Sequence, residues 1–210
     1  KRLKNGDKGP NTGGMGCFTP SNLVSNILEQ NIIKDIVKKT FNGLKKDKIV
    51  YRGVIFFGLI IKKDEAQVIE YNVRFGDPEC QTLLRNLKTD LLEIFKATCE
   101  DNLSNIKIIK KKQAVVCVVL AAKGYPGKYE KNKIIKNLQN LKLEKDVEIF
   151  HAGTKLILED FYSNGGRVLS VTAVSSDIKK ARKTAYRTLK KIDWKSGFYR
   201  NDIGWRVIKK

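Results

Sequence analysis

The chain has 210 residues, 41% hydrophobic and 30% charged, enough for one large domain or two modest ones that each bury a core. No apolar stretch is long and charge-free enough to cross a bilayer, and the start at Lys1 and Arg2 does not read as a signal sequence, so a soluble cytoplasmic protein without membrane contact is expected. The net charge of +20 is the best argument for a nucleic-acid partner, but the lysines are dispersed (KKDK, IKKD, IKKKQ, LKKID), aromatics do not interleave with them and no binding motif is recognised, which favours a solvated surface.

In chain order, Lys1 to Pro20 is rich in Gly, Pro, Asn and Thr and reads as an ordered loop without regular structure. Ser21 or Asn22 is the expected cap of an amphipathic helix carrying Val24, Ile27, Leu28, Ile32, Ile36 and Val37 and ending near Gly43. GVIFFGLII (53–61) and VIEYNV (68–73), separated by KKDEAQ, predict two adjacent buried strands. Asp77 and Pro78 then suit the cap and first position of a helix whose apolar face, Leu83, Leu84, Leu87, Leu91, Leu92 and Phe95, would lie on the strand pair. The pattern lapses between Cys99 and Gln113, which sets an expected domain boundary there. A second unit follows: the apolar run AVVCVVLAA, a turn at GYPG, a strand around EIFHAG with RVLSVTAV as its hairpin return, a lysine-rich helix capped by Asp177, and a closing strand in GFYRNDIGWRVI. The fold class expected is mixed α/β (α+β), divided into residues 1–105 and 106–210.

Cys17, Cys80, Cys99 and Cys117 lie far apart in sequence, so neither a CxxC zinc pair nor a disulfide framework is expected, and the thiols read as reduced. His151 is the single histidine, which gives little basis for a histidine metal site or a Ser-His-Asp triad. Two other segments carry chemistry. In GPNTGGMG (9–16) the glycines free the backbone for amides to approach a phosphate or carboxylate, although such loops also make ordinary tight turns. In IEYNVRFGDPE (69–79) strand alternation puts Glu70, Asn72 and Arg74 on one face. Glu and Asn oxygens are hard donors suited to magnesium shared with a nucleotide phosphate, and Arg74 suits a developing phosphoryl charge; the alternative is an exposed face on which Glu70 and Arg74 simply pair.

Together these segments resemble glycinamide ribonucleotide synthetase, the phosphoribosylamine-glycine ligase family of the ATP-grasp superfamily. KRLKNGDKGPNTGGMG, VIEYNVRFGDPECQ, LAAKGYPGKYEK, FHAGT, GGRVLSVTAV and FYRNDIGWR carry the likeness over nearly the whole chain. The resemblance implies an ATP-grasp large-lobe fragment followed by a small mixed α/β carboxyl-terminal domain. It also implies a reaction in which ATP phosphorylates glycine and 5-phosphoribosylamine attacks the glycyl phosphate, giving glycinamide ribonucleotide, ADP and phosphate in purine synthesis. Glu70 and Asn72 match the family's ligands for Mg2+ (or Mn2+). Arg74 is a candidate for steadying the glycyl phosphate, Asp77 for accepting a proton, and Pro10, Asn11, Thr12, Gly13, Gly14, Met15 and Gly16 for facing a substrate. Glu79 is a second candidate acceptor, though both acids suit the first turn of a helix, and Arg167 or Arg200 is a candidate for reaching the phosphoribosyl phosphate. The family's chains are longer, so a missing amino-terminal half is expected as partner and the 210 residues alone are expected to be inactive. A non-catalytic remnant of the same fold is the further alternative.

Overall fold

A computed structural model describes residues 1–22 and 24–208. The opening segment is more regular than expected: it holds strands β1 (Arg2–Lys4), β2 (Lys8–Asn11) and β3 (Gly16–Thr19). Strand ladders use backbone groups alone, so a glycine-rich segment can join them while its glycines supply the bends. β1 and β2 pair with each other in antiparallel fashion.

The first helix starts later than Ser21 or Asn22, with Leu23 outside the described residues. Ser25 is the cap, its hydroxyl accepting a hydrogen bond from the Leu28 N–H at 3.1 Å. The helix runs through α1 (Asn26–Ile32), five π-helical residues Ile33–Val37, and α2 (Lys38–Lys46). It passes Gly43 and stops where Lys48 takes a positive φ of 56° and the Ile49 N–H reaches back to the Leu44 carbonyl at 2.9 Å.

Strands β4 (Phe56–Lys62) and β5 (Glu65–Asn72) form the expected antiparallel pair, closed by Lys63 and Asp64, whose φ values of 50° and 60° match the turns that suit twisted hairpins. The apolar run suggested burial, but Ile60 is 52% and Ile69 66% exposed: the sheet has two strands, and α1 and the Thr40 hydroxyl of α2 meet β5. The single helix expected after Pro78 is two, α3 (Glu79–Asn86) and α4 (Leu91–Cys99). Between them Leu87 bridges to Lys110, the Lys88 N–H donates to the Ile109 carbonyl, and Asp90 caps α4 through the Leu92 N–H at 2.7 Å. Extended pairing and a new cap outcompete the leucine periodicity there.

The remainder comprises β6 (Ala114–Ala122), β7 (Ile134–Ile135), β8 (Val147–His151), β9 (Thr154–Ile157), β10 (Asp160–Ser163), β11 (Arg167–Ser175), α5 (Ile178–Leu189), β12 (Gly197–Phe198) and α6 (Trp205–Ile208). β8 and β11 do pair antiparallel, but β9 and β10 intervene and form a separate small sheet with β7. Asp177 caps α5 as expected, accepting from the Lys180 N–H at 2.9 Å. The closing strand shrinks to β12, and the chain turns into α6.

Two compact units result, each discontinuous: Lys1–Pro20, Asp77–Asn86 and Lys111–Lys210 in the first, Ser21–Gly76 and Leu87–Lys110 in the second. The expected division at residue 105 is contiguous, whereas these are not. In the first unit β6 is the buried centre of the main sheet, with β11 and then β8 on one side and β3 and β12 on the other. Val116, Val118 and Leu120 face α5, where Ala181, Ala185 and Leu189 complete an apolar core. Each large aliphatic side chain buried there contributes about 1.5–3 kcal/mol. On the opposite face α3 packs against β6 and β3, rather than on the β4–β5 pair as the sequence suggested.

Candidate functional site

In the second unit, strand pairing fixes where the polar groups of β5 stand. Glu70 lies directly opposite Gly58, and a Cβ at Gly58 would sit 2.7 Å from the Glu70 Cγ, so a glycine is required for the carboxylate stem to lie across the partner strand. Asn72, opposite Phe56, follows on the same face. Arg74 is past the end of β5 and joins them differently from strict alternation. Its guanidinium turns back, donating to the Asn72 Oδ1 at 3.1 Å and to the Phe75 carbonyl at 2.8 Å. A simple Glu70–Arg74 ion pair is thereby replaced: Glu70 is exposed and makes no salt bridge among the described residues.

One carboxylate and one amide oxygen are hard donors of the type Mg2+ takes. Among the described residues there is no cluster of three or more His, Cys, Asp or Glu able to hold a metal by itself. The donor set therefore fits an ion that draws its other ligands from water and a nucleotide phosphate, and does not fit a self-sufficient metal cage.

The first unit holds the glycine loop and Asp77. The loop's amides are partly satisfied, one from outside the loop and one from within: the Gly13 N–H donates to the Tyr125 hydroxyl at 3.0 Å and the Gly14 N–H to the Thr12 hydroxyl at 3.1 Å. Thr12 itself donates to the Lys1 carbonyl at 2.9 Å, Pro10 and Asn11 lie exposed on β2, and Met15 is buried. Packing also explains glycines here. At Gly14, with φ 127°, a Cβ would stand 2.6 Å from the Pro78 ring, and at Gly16, with φ 146°, 2.6 Å from the Cys117 carbonyl oxygen.

Arg167, the first residue of β11, ties this loop to Asp77. Its guanidinium donates to the Asp77 carbonyl at 2.7 Å and the Asp77 Oδ2 at 2.9 Å, and reaches the Gly13 carbonyl at 3.3 Å. The Asp77 carboxylate is thus engaged in positioning, which opposes its use as a free proton acceptor and also explains why it does not cap α3. Arg167 and Tyr125 were not linked to the loop by any sequence period, since residues 13, 77, 125 and 167 meet only through tertiary packing.

Beside the loop, a cavity of about 350 Å3 is lined by Gly14, Met15, Gly16, Arg200, Asp202 and Arg206 among others. Arg200 is buried and fully engaged. It grips Asp202 with two bonds of 2.8 and 2.9 Å and reaches the Asp7 Oδ1 and the Arg2 carbonyl, each at 3.0 Å. Burial pushes the Asp202 carboxyl up, but the hydrogen bonds from Arg200 and the Gly6 N–H outweigh it and hold that carboxyl below its ordinary value. Both the Arg167 and the Arg200 guanidinium are held by carboxylates and carbonyls of the first unit.

Two domain models of one family match the chain in order: the ATP-grasp (A) domain of phosphoribosylglycinamide synthetase over residues 1–80 and its C domain over residues 115–206. Phosphoribosylamine–glycine ligase of Agrobacterium fabrum is 43% identical over 208 residues, covering 99% of this chain and 49% of that protein. The chloroplastic ligase of Arabidopsis thaliana is 43% identical over 213 residues, 100% of this chain and 40% of that protein. Among solved structures, the ligase of Thermotoga maritima superimposes with TM-score 0.78 at 33% identity over 97% of this chain and 50% of its own. Biotin carboxylase of Campylobacter jejuni, at TM-score 0.60 and 15% identity over 85% of this chain and 38% of its own, shares the fold alone. Fold and matches define an ATP-grasp protein. More narrowly, the chain belongs to the phosphoribosylglycinamide synthetase family, and it spans about half the length of the ligases it matches.

Proposed function

We propose that these residues form the carboxyl-terminal half of a cytoplasmic, ATP-dependent phosphoribosylamine-glycine ligase, with residues 1–105 contributing to the ATP-grasp domain and 106–210 forming the carboxyl-terminal domain. The observation that carries this reading is the collinear match of both domain models of one family. The amino-terminal half of the enzyme would supply the other side of the nucleotide site. The substrates are ATP, glycine and 5-phosphoribosylamine, and Mg2+ or Mn2+ accompanies the nucleotide.

In this reading the Glu70 carboxylate and the Asn72 Oδ1 would hold the divalent ion, which when bound offsets the charge of the nucleotide phosphates. Arg74, already beside the Asn72 oxygen, presents its guanidinium to the same face and suits an acyl phosphate whose charge must be held in place. The chemistry runs in two balanced steps. A glycine carboxylate oxygen takes the γ-phosphoryl group and releases ADP; the amine of 5-phosphoribosylamine then attacks the acyl carbon, forming the amide bond, releasing phosphate and losing a proton. Asp77 is assigned to positioning: with Arg167 it holds the Gly13 and Gly14 carbonyls and so shapes the loop from Pro10 to Gly16 that would face substrate.

The test is Glu70→Ala in the full-length protein, assayed with all three substrates across a magnesium titration. Turnover is expected to fall at least about 100-fold, with more magnesium needed for half-maximal rate. Unchanged turnover and magnesium dependence would refute the assignment and favour a remnant that keeps only the fold.

A further inference from the structure

Cys17 and Cys117, a hundred positions apart in sequence, are direct partners in the β3–β6 ladder. The Val119 N–H donates to the Met15 carbonyl at 3.1 Å, so the pair two residues further along, 17 with 117, falls on a hydrogen-bonded site of the antiparallel ladder. There Cα atoms stand about 5.5 Å apart, within the range a disulfide spans, and the Cβ atoms must draw together by roughly 1 Å for the bond to close, which movement of the short edge strand β3 allows. Both are free thiols, on the sheet face covered by α3. Cys117 is buried in the central strand, while Cys17 lies half-buried on an edge strand of only four residues.

Their location has a topological meaning. The chain passes to the second unit after Pro20 and returns at Asp77, then passes again at Leu87 and returns at Lys111. β3 is the last strand before the first departure and β6 the first strand after the last return. Cys17 also touches the segment between: its Sγ donates to the Pro78 carbonyl at 3.2 Å and lies 3.4 Å from the Thr82 hydroxyl of α3. One thiol therefore meets all three segments of the first unit.

We propose that Cys17 and Cys117 are a modification site, forming a cross-strand disulfide when a hydroperoxide reaches Cys17 and thereby fastening β3, which directly follows the substrate-facing loop, to β6. The Cys17 sulfur, deprotonated, attacks the peroxide, breaking its O–O bond; Cys17 becomes a sulfenic acid and the first water leaves. The Cys117 sulfur then displaces the hydroxyl from Cys17 as a second water, and the S–S bond forms. Two thiols lose two protons and two electrons, and the peroxide is reduced to two waters. While β3 is closed Cys117 is fully buried and the Cys17 sulfur is held against the Pro78 carbonyl and the Thr82 hydroxyl of α3, which keeps peroxide from the pair. Oxidation then follows the opening of β3.

The experiment exposes the reduced full-length protein to hydrogen peroxide at neutral pH, blocks remaining thiols with iodoacetamide, and maps peptides by mass spectrometry without reduction. The expected product is one intramolecular pair, Cys17 with Cys117, two hydrogens lighter than the thiols and reversed by dithiothreitol. Urea below the unfolding transition should speed its formation. The oxidised protein should melt roughly 5–10 °C higher than the reduced one, because the closed loop spans the whole second unit. Oxidation confined to Cys80 or Cys99, over-oxidation of Cys17 with Cys117 still alkylated, or a crosslink that leaves the midpoint unmoved would each overturn the proposal. Cys17→Ala should abolish the crosslink, and the peptide map of the unsubstituted protein stands as the test even if that variant folds poorly.

Discussion

Replacing Arg200 by methionine removes a guanidinium that joins the beginning of the first unit to its end. The side chain is 8% exposed and makes two bonds to Asp202, one to Asp7 and one to the carbonyl of Arg2. Stripping one member from a buried ion pair typically costs about 3–5 kcal/mol, because the partner charge stays behind without compensation. Here each carboxylate keeps one other donor, Arg206 for Asp7 and the Gly6 N–H for Asp202, so the low end applies, about 3 kcal/mol. For a chain of this size that corresponds to a fall in Tm of roughly 6–12 °C. Urea and thermal unfolding of Arg200→Met measure it directly, and amide exchange should quicken first over Arg2 to Asn11. Arg200→Lys should recover only part of the loss, since an ammonium cannot grip Asp202 bidentately and reach Asp7 as well. A change below about 1 kcal/mol, with a raised KM for the phosphorylated substrate, would refute the structural role and return Arg200 to the binding site.

Two glycines separate steric need from simple tolerance. Gly14→Ala places a Cβ 2.6 Å from the Pro78 ring at φ 127° and should destabilise by about 2–4 kcal/mol in urea unfolding, whereas Gly43→Ala, with nothing within 4 Å on a helix, should stabilise by about 0.5–1 kcal/mol. Asp202 sets an acid limb. Its folded-state carboxyl titrates below the unfolded value near about 4, so its contribution is complete above that pH and is lost as pH falls through the lower folded value. Asp202→Asn should flatten that part of a midpoint-versus-pH curve below about pH 4, and an unchanged limb would assign it to other carboxylates.

The sequence was most legible where one signal acted alone. AVVCVVLAA is apolar at every position because β6 is buried on both faces, and Asp177 precedes α5 with its carboxylate engaged by sequence neighbours, the Lys180 N–H and ammonium and the Ser176 hydroxyl. It was least legible where tertiary partners overrode a local preference. Asp77 and Pro78 read as a helix start, but the Asp77 carboxylate goes to Arg167 from ninety residues away. The leucines from Leu83 to Leu92 read as one stripe, but the Thr89 hydroxyl accepts from the Ile109 N–H and donates to the Lys107 carbonyl, and Asp90 begins a second helix. Alternation put Glu70, Asn72 and Arg74 on one face, but Arg74 reaches that face by folding back beyond the strand end. The pairing of Cys17 with Cys117 left no trace in spacing, since register between β3 and β6 is set by the sheet as a whole.

The transfer of an oxygen atom tests the central claim most directly. Full-length protein supplied with ATP, 5-phosphoribosylamine and glycine labelled with 18O in its carboxylate should release phosphate carrying one 18O per molecule, because the oxygen that accepts the γ-phosphoryl group leaves with it. Phosphate without label, or product formed without ATP cleavage, would contradict a glycyl phosphate and with it the role given to Glu70, Asn72 and Arg74.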